Sequence, residues 1–360
     1  MGNFIYHRYD SEHVALAPLK KFQLAMIRYI ISNRAKAICL QRGQKMLLLN
    51  SIGSILSIVI MIIIGYILTA KGWFSEESSK LLTRLVITIA LPALMISTIL
   101  GNLDRNELVH QGKGILIPIL SMTICLIIAI IVTKLIKIKK EDAGLFISMF
   151  FNSNTIFVGL PVNLALFGEK SIPYVLLYYI ANTTFFWTIG VYFISKNGNK
   201  KTNDKILSKS TLKRIISPPL LGYMVAIILV ILNVHLPNFI MDTCKYMGGI
   251  TTPLSMLFIG ICIFSVKLKD IKISKDMFGI VAGRFIISPL TVFVITLFIP
   301  IPILMKKVFI IQAAMPVMTN TSIIAKAYDG DTKYAAVMTV VTTVLSIIAI
   351  PFYMVLLSYL

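Results

Sequence analysis

The sequence predicts an all-α polytopic membrane fold of ten transmembrane helices in two inverted five-helix repeats, and three observations lead there. Of its 360 residues, 57% are hydrophobic and only 14% are charged, whereas a soluble globular chain carries about 25% charged residues. From Met46 onward, apolar runs follow one another with short polar loops, each run near the ~20 residues that a bilayer core demands. Two of those runs, one in each half, are interrupted by Asn, Thr, Gly and Pro, at residues 150–168 and 311–330. A lipid-facing helix does not tolerate such breaks, because freed backbone groups find no water there; breaks survive where they line a cavity. A pair of interrupted segments in the two halves is the sequence pointer to a transporter's binding site.

Taken in order, residues 1–45 form a basic extension running from Arg8 to Lys45, with no run of spanning length. It has no apolar core followed by a small-residue cleavage site, so a removable signal peptide is not indicated. An amphipathic interfacial helix fits residues 22–40, while a translation start at Met46 would remove the extension altogether. The spans fall at 47–69, 82–101, 114–136, 143–167, 172–195, 216–233, 247–266, 277–299, 307–328 and 335–358. Residues 46–195 hold the first repeat, 196–214 form a cytoplasmic linker rich in Lys, Asn and Ser, and 215–360 hold the second. Corresponding spans share features. Leu91-Pro92-Ala93-Leu94 in span 2 answers Thr252-Pro253-Leu254-Ser255 in span 7, and Gly159-Leu160-Pro161 in span 4 answers Ala314-Met315-Pro316 in span 9. An odd number of spans per repeat makes the two halves insert with opposite orientation, the inverted-repeat design.

The formal net charge of +20 follows a sidedness rule. Lys and Arg concentrate in the loops after spans 1, 3, 5, 7 and 9, which places those loops in the cytoplasm of a cell-membrane protein and both termini outside. The basic residues before Met46 oppose that assignment. No basic–aromatic patch supports nucleic-acid binding. Cys39, Cys125, Cys244 and Cys262 show no paired spacing, and His7, His13, His110 and His235 do not cluster. No disulfide framework, metal site or cofactor is indicated. Without a phosphate-cradling glycine motif, ATP is not the energy source. No Asp or Glu lies deep in a span, as an intramembrane aspartyl protease would need, and no His reaches membrane depth for a hydrolase, so the chain is not read as an enzyme. A coupling ion, proton or sodium, stays open; sodium would have to use carbonyls, hydroxyls and amides.

The candidate site residues follow from the breaks. The half-helix after each break presents unpaired N–H groups and a positive dipole end, which suits an anion such as a carboxylate. Asn152, Asn154 and Thr155 at the first break, and Thr319, Asn320 and Thr321 at the second, offer amides and hydroxyls to it. They equally suit capping of the broken ends. Gly159, Pro161 and Pro316 are the expected break points. Gln312, one turn before Pro316, reaches either freed carbonyls or substrate. Asn182, Thr183 and Thr184 in span 5 lie at a helical spacing that faces the crossing or makes a small-polar helix contact within the bundle. Ser97, Thr98 and Ser255 are candidates for the opposite wall. Arg284 is an ionisable residue inside span 8, a functional candidate by default, positioned either to pair with a carboxylate or to snorkel to the cytoplasmic surface.

Asn154-Thr155-Ile156-Phe157-Val158-Gly159-Leu160-Pro161 followed by Leu166-Phe167-Gly168 resembles the fourth-span signature of the auxin efflux carrier family. Gln312-Ala313-Ala314-Met315-Pro316 with Ala325-Lys326-Ala327-Tyr328 is similar to its ninth-span counterpart, and Leu91-Pro92-Ala93-Leu94 fits as well. The likeness runs from Met46 to Leu360. It implies ten spans in inverted repeats, a scaffold of spans 1, 2, 6 and 7, and a mobile unit of spans 3–5 and 8–10 moving elevator-fashion. It also implies that Asn154 contacts the carboxylate and that Pro161 and Pro316 mark the crossover. Ser153 stands where plant members carry proline, a second proline of span 9 is replaced within residues 318–321, and the long cytoplasmic domain is cut to the linker. These departures favour a bacterial-type permease for a mono- or dicarboxylate such as malate or malonate over an indole carrier. The expected function is therefore secondary transport of a small organic anion. A sodium-coupled symporter of the bile-acid type, a membrane enzyme and a non-transporting sensor are the rivals. A homodimer joined through scaffold spans would suit an elevator by analogy.

Overall fold

A computed structural model describes residue 53 and residues 56–102, 112–197, 217–267, 269, 271 and 273–358. The 1–45 extension, with its interfacial helix and alternative start, and the linker beyond Asn197 lie outside the described residues. Among the described residues there is no strand, only an isolated antiparallel bridge between Ser153 and Val317.

Helix α1 spans Leu56–Ala70, α2 Glu77–Gly101 and α3 Lys113–Leu135. The next apolar run is split into α4, Ala143–Phe151, and α5, Thr155–Phe167. Then come α6, Glu169–Asn197, α7, Pro218–Ile231, α8, Asn238–Ser265, and α9, Lys275–Phe298. A second split run gives α10, Ile303–Ala313, and α11, Asn320–Ala327, before α12, Thr332–Leu357. Among the described residues six helices, α2, α3, α6, α8, α9 and α12, are long and apolar enough to cross a bilayer whole. Helix α8 starts at Asn238, well before the expected 247. Its first turns carry Asp242 and Lys245, which keep the helical backbone but depress the hydropathy on which the boundary was read.

Short polar signals set the ends. Ser75 and Ser78 cap the start of α2 reciprocally through side chain and backbone, satisfying donors that the first turn leaves over. Ser274 accepts from the Met277 N–H at 3.3 Å ahead of α9, and Asp331 accepts from the Tyr334 N–H at 2.8 Å ahead of α12. Gly168 ends α5 with φ 72°, a left-handed value that a Cβ disfavours.

Besides an apolar core, the bundle buries polar side chains and exposes large apolar ones. Ser148, Asn152, Asn163, Asn182, Ser255, Gln312 and Thr342 are fully buried, while Leu56, Ile60, Leu135, Phe298 and Ile348 are exposed. Lipid makes apolar exposure free, and polar groups turn inward to find partners. Glycines let backbones touch where helices pack, as membrane bundles require. A Cβ at Gly222 would come within 2.6 Å of Pro92 in α2, one at Gly248 within 2.8 Å of Leu94, and one at Gly65 in α1 within 2.5 Å of the Leu257 carbonyl in α8. Helices α1, α2, α7 and α8 therefore pack as one close group, and α3–α6 with α9–α12 as another.

The loop before α4 and the loop before α12 meet at one end, around a polar hollow lined by Lys139, Glu141, Asp142, Asp329 and Asp331. Partial burial, with the nearby Asp331 and Glu141, holds the Asp142 carboxyl above the usual aspartate range. An acid whose pKa is raised on folding weakens the fold when ionised, so stability rises as pH falls from neutral toward the ordinary aspartate range. Asp142→Asn is expected to raise Tm at pH 7 and to flatten that rise in a melting series from pH 7 to pH 4.

Candidate functional site

The first break occupies Asn152–Asn154, between α4 and α5, and not Gly159 and Pro161, where the sequence placed it. Gly159 closes a π turn, Thr155–Gly159, and Pro161 sits in the first turn of the regular α segment that follows. Pro161 follows directly on that π turn, whose wider i→i+5 bonding already departs from the regular helical ladder. At the opening the Asn154 side chain supplies one replacement bond, accepting from the Phe157 N–H, as an asparagine that competes with helical bonding can. Pro316 does lie in the second break, between Ala313 and Asn320.

The two breaks cross and bond directly. The Asn154 N–H donates to the Pro316 carbonyl at 2.8 Å, beside the Ser153–Val317 bridge. Flanking helices hold each strand-like segment. Asn182 of α6 accepts from the Ser153 N–H at 2.9 Å and donates to the Ser153 carbonyl at 2.9 Å, as a neighbouring strand would. On the other side, the Thr342 hydroxyl of α12 accepts from the Val317 N–H at 3.1 Å. Asn182 is thus a clamp on the crossing. Gln312 likewise braces it, donating from Nε2 to the Thr155 carbonyl at 3.3 Å while filling the space above Gly159.

Arg284 neither snorkels nor reaches the cavity described below: it is 0% exposed. Its Nε donates to the Met315 carbonyl at 3.0 Å, Nη2 to the Ala313 carbonyl at 2.5 Å, and Nη1 to the Phe150 carbonyl at 3.3 Å and the Ser288 hydroxyl at 3.5 Å. Those carbonyls stand at or just beyond the C-terminal ends of α4 and α10, which the breaks leave without helical donors. Burying a lone guanidinium costs several kcal/mol; bonds from a charged donor return about 1.5–3 kcal/mol each, and the negative ends of two helix dipoles add to them.

On the opposite side, where α5 and α11 begin, lies a cavity of about 180 Å³. Asn154, Thr155, Thr319 and Asn320 line it, together with Ile87, Leu91, Ile156, Phe157, Tyr179, Thr183, Trp187, Ser217, Pro219 and Met318. Asn154 is only 2% exposed. Its Oδ1 caps α5, accepting from the Phe157 N–H at 3.2 Å, while its Nδ2 has no partner. One side-chain atom of Asn154 thus caps the helix, and the other is left without a partner. Thr183 Oγ1 is also unpartnered, whereas the Tyr179 and Ser217 hydroxyls bond each other at 2.8 Å. Among the described residues, none in the lining is charged. The remaining candidates stand apart. Asn152 donates to the Ser148 hydroxyl at 3.4 Å and packs against Gly190, and Thr321 is fully buried outside the lining.

Sequence reading missed Tyr179, Trp187, Ser217 and Met318, which carry no signal of their own among so many apolar and aromatic residues. It also missed the π turns at Val86–Ala90, Thr155–Gly159, Phe186–Gly190 and Gly283–Ile287. Three of these place cavity residues (Ile87, Thr155 to Phe157, and Trp187) and the fourth carries Arg284, in keeping with the concentration of such turns at functional sites.

The geometry can be set beside known proteins. The family profile described as Membrane transport protein matches residues 50–354. An uncharacterised transporter of Methanocaldococcus jannaschii is 30% identical over 305 residues, covering 82% of this chain and 95% of that one. An uncharacterised transporter of Methanothermobacter thermautotrophicus is 25% identical over 317 residues, covering 87% of this chain and all of the other. The matched region includes both breaks and every cavity residue, and the chain belongs to the membrane transport protein family, the auxin efflux carrier family whose signatures its fourth and ninth apolar runs resemble.

Proposed function

We propose that this membrane transporter moves a small organic anion across the cytoplasmic membrane by alternating access, with the cavity at the crossing as its binding site. The observation that carries the proposal is the meeting there of two helix N-termini with the unpartnered Nδ2 of Asn154. N-terminal N–H groups and the positive dipole end suit a carboxylate without a cationic side chain. Thr183, Thr319 and Asn320 complete the polar end. Ile87, Leu91, Phe157, Trp187 and Met318 supply apolar walls, which favour a monocarboxylate with an apolar tail over malate or malonate, whose second carboxylate would face those walls.

In this reading the twelve helices make ten crossings, with α4–α5 and α10–α11 each counting as one, in two inverted repeats (46–195 and 215–360). The close group of α1, α2, α7 and α8 serves as scaffold, and dimers would join through it. Both termini face outward. The meeting of the loops before α4 and α12 at one end supports a shared side for them.

A second reading, cation coupling, is favoured by two fully buried amide oxygens without partners, Asn163 Oδ1 and Gln312 Oε1. Both belong to side chains that donate to carbonyls of the same π turn, and sodium takes amide and carbonyl oxygens.

Proteoliposomes offered labelled hexanoate, phenylacetate, malate and malonate, with pH, sodium and voltage gradients imposed one at a time, test both readings. Saturable uptake of a monocarboxylate is expected, and the accelerating gradient identifies the coupling. No flux of any acid by folded protein overturns the proposal.

A further inference from the structure

Among the described residues the cavity lining holds no ionised side chain, yet a permanent cation lies behind the crossing. Arg284 cannot be deprotonated in a protein, and its partners are three carbonyls and a hydroxyl, with no carboxylate among them. The negative ends of α4 and α10 offset part of that charge, so removing the guanidinium would leave them uncompensated behind the site. The bonded carbonyls belong to the segments that form the site: Phe150 leads through the first break to Asn154, and Met315 precedes Pro316, whose carbonyl accepts the Asn154 N–H. Gly283 makes this reach feasible. A Cβ there would lie 2.6 Å from the Phe150 ring, so α9 lies close against α4 just where the arginine leaves the π turn Gly283–Ile287. A lysine has no planar fork with which to hold two helix ends together.

We propose that Arg284 is a fixed positive charge behind the site, a positioning residue that makes the cavity prefer a carboxylate to its neutral amide. The inference rests on the anion-carrier reading. A unit charge about 10 Å from a carboxylate, in a medium of effective dielectric about 20, changes its affinity roughly tenfold.

The test measures equilibrium binding of labelled hexanoate and hexanamide to the purified full-length protein. The wild-type protein is expected to prefer hexanoate. Arg284→Gln, which keeps an N–H₂ donor and loses the charge, lowers hexanoate affinity about tenfold with hexanamide changed less than about twofold, while Arg284→Lys keeps the preference. Should the glutamine variant fail to accumulate, Ser288→Asp retains the arginine and neutralises it through the contact at Nη1, with the same selective loss expected. Parallel losses for acid and amide, or an unchanged preference in a charge-neutralised variant, would overturn the inference and leave a purely structural arginine. Wild-type protein with no preference for the acid overturns the anion reading itself, and the inference with it.

Discussion

Asn154→Ala is expected to lower uptake about 100-fold while folded protein still accumulates in the membrane. Loss of a hydrogen bond to a charged ligand is worth about 1.5–3 kcal/mol, and its upper part reaches that factor; loss of the N-cap, about 1 kcal/mol, falls on stability instead. The backbone bonds of residue 154, from its N–H to Pro316 and from the Gly159 N–H to its carbonyl, do not depend on the side chain, so the crossing survives. Asn154→Asp separates the two roles. It keeps an oxygen to cap α5, where a negative charge is favoured by the dipole, and replaces the donor with a group that repels an anion. The aspartate variant should therefore melt at or above the wild-type Tm and still fail to transport. Wild-type uptake by the alanine variant would remove Asn154 from the site.

The sequence made the two breaks readable because Asn152, Asn154, Pro316 and Thr319 are residue types that an intact lipid-facing helix excludes. For the same reason it singled out Asn154, Thr155, Thr319 and Asn320, which line the cavity. The apolar half was not readable: Trp187, Phe157 and Met318 look the same in a chain whether they face lipid, a neighbour or a substrate, and only tertiary packing separates those cases. The roles of the polar residues were also underdetermined. Spacing put Asn182 and Arg284 near the crossing, but whether each meets a substrate or a freed backbone group depends on which side of the Ser153–Val317 bridge it approaches. Both turned out to serve the backbone. Thr342 plays for Val317 part of the role that Asn182 plays for Ser153, yet one more hydroxyl among the threonines of α12 carried no mark.

Asn182→Ala is expected to lower the Tm of the purified protein by about 10 °C and to sharply reduce its accumulation. The Ser153 N–H and carbonyl both find their partner in one side chain, each at 2.9 Å. Ser153 is fully buried, so no water replaces it. Each orphaned backbone group costs about 1–3 kcal/mol, which makes the pair about 2–6 kcal/mol, the largest single-side-chain effect expected at the crossing after Arg284. Thr342→Val strands only the Val317 N–H and should cost about half as much. Because both side chains hold opposite edges of one bridge, their losses should not add. Once Ser153 is released, Val317 has less to be held against, and the double variant should fall short of the sum of the singles. Equal melting of Asn182→Ala and wild-type protein would show that the bridge stands without its clamp. Strictly additive losses would show that the two segments are held independently, and that the crossing is two capped helix ends lying side by side instead of one bonded unit able to move as a whole.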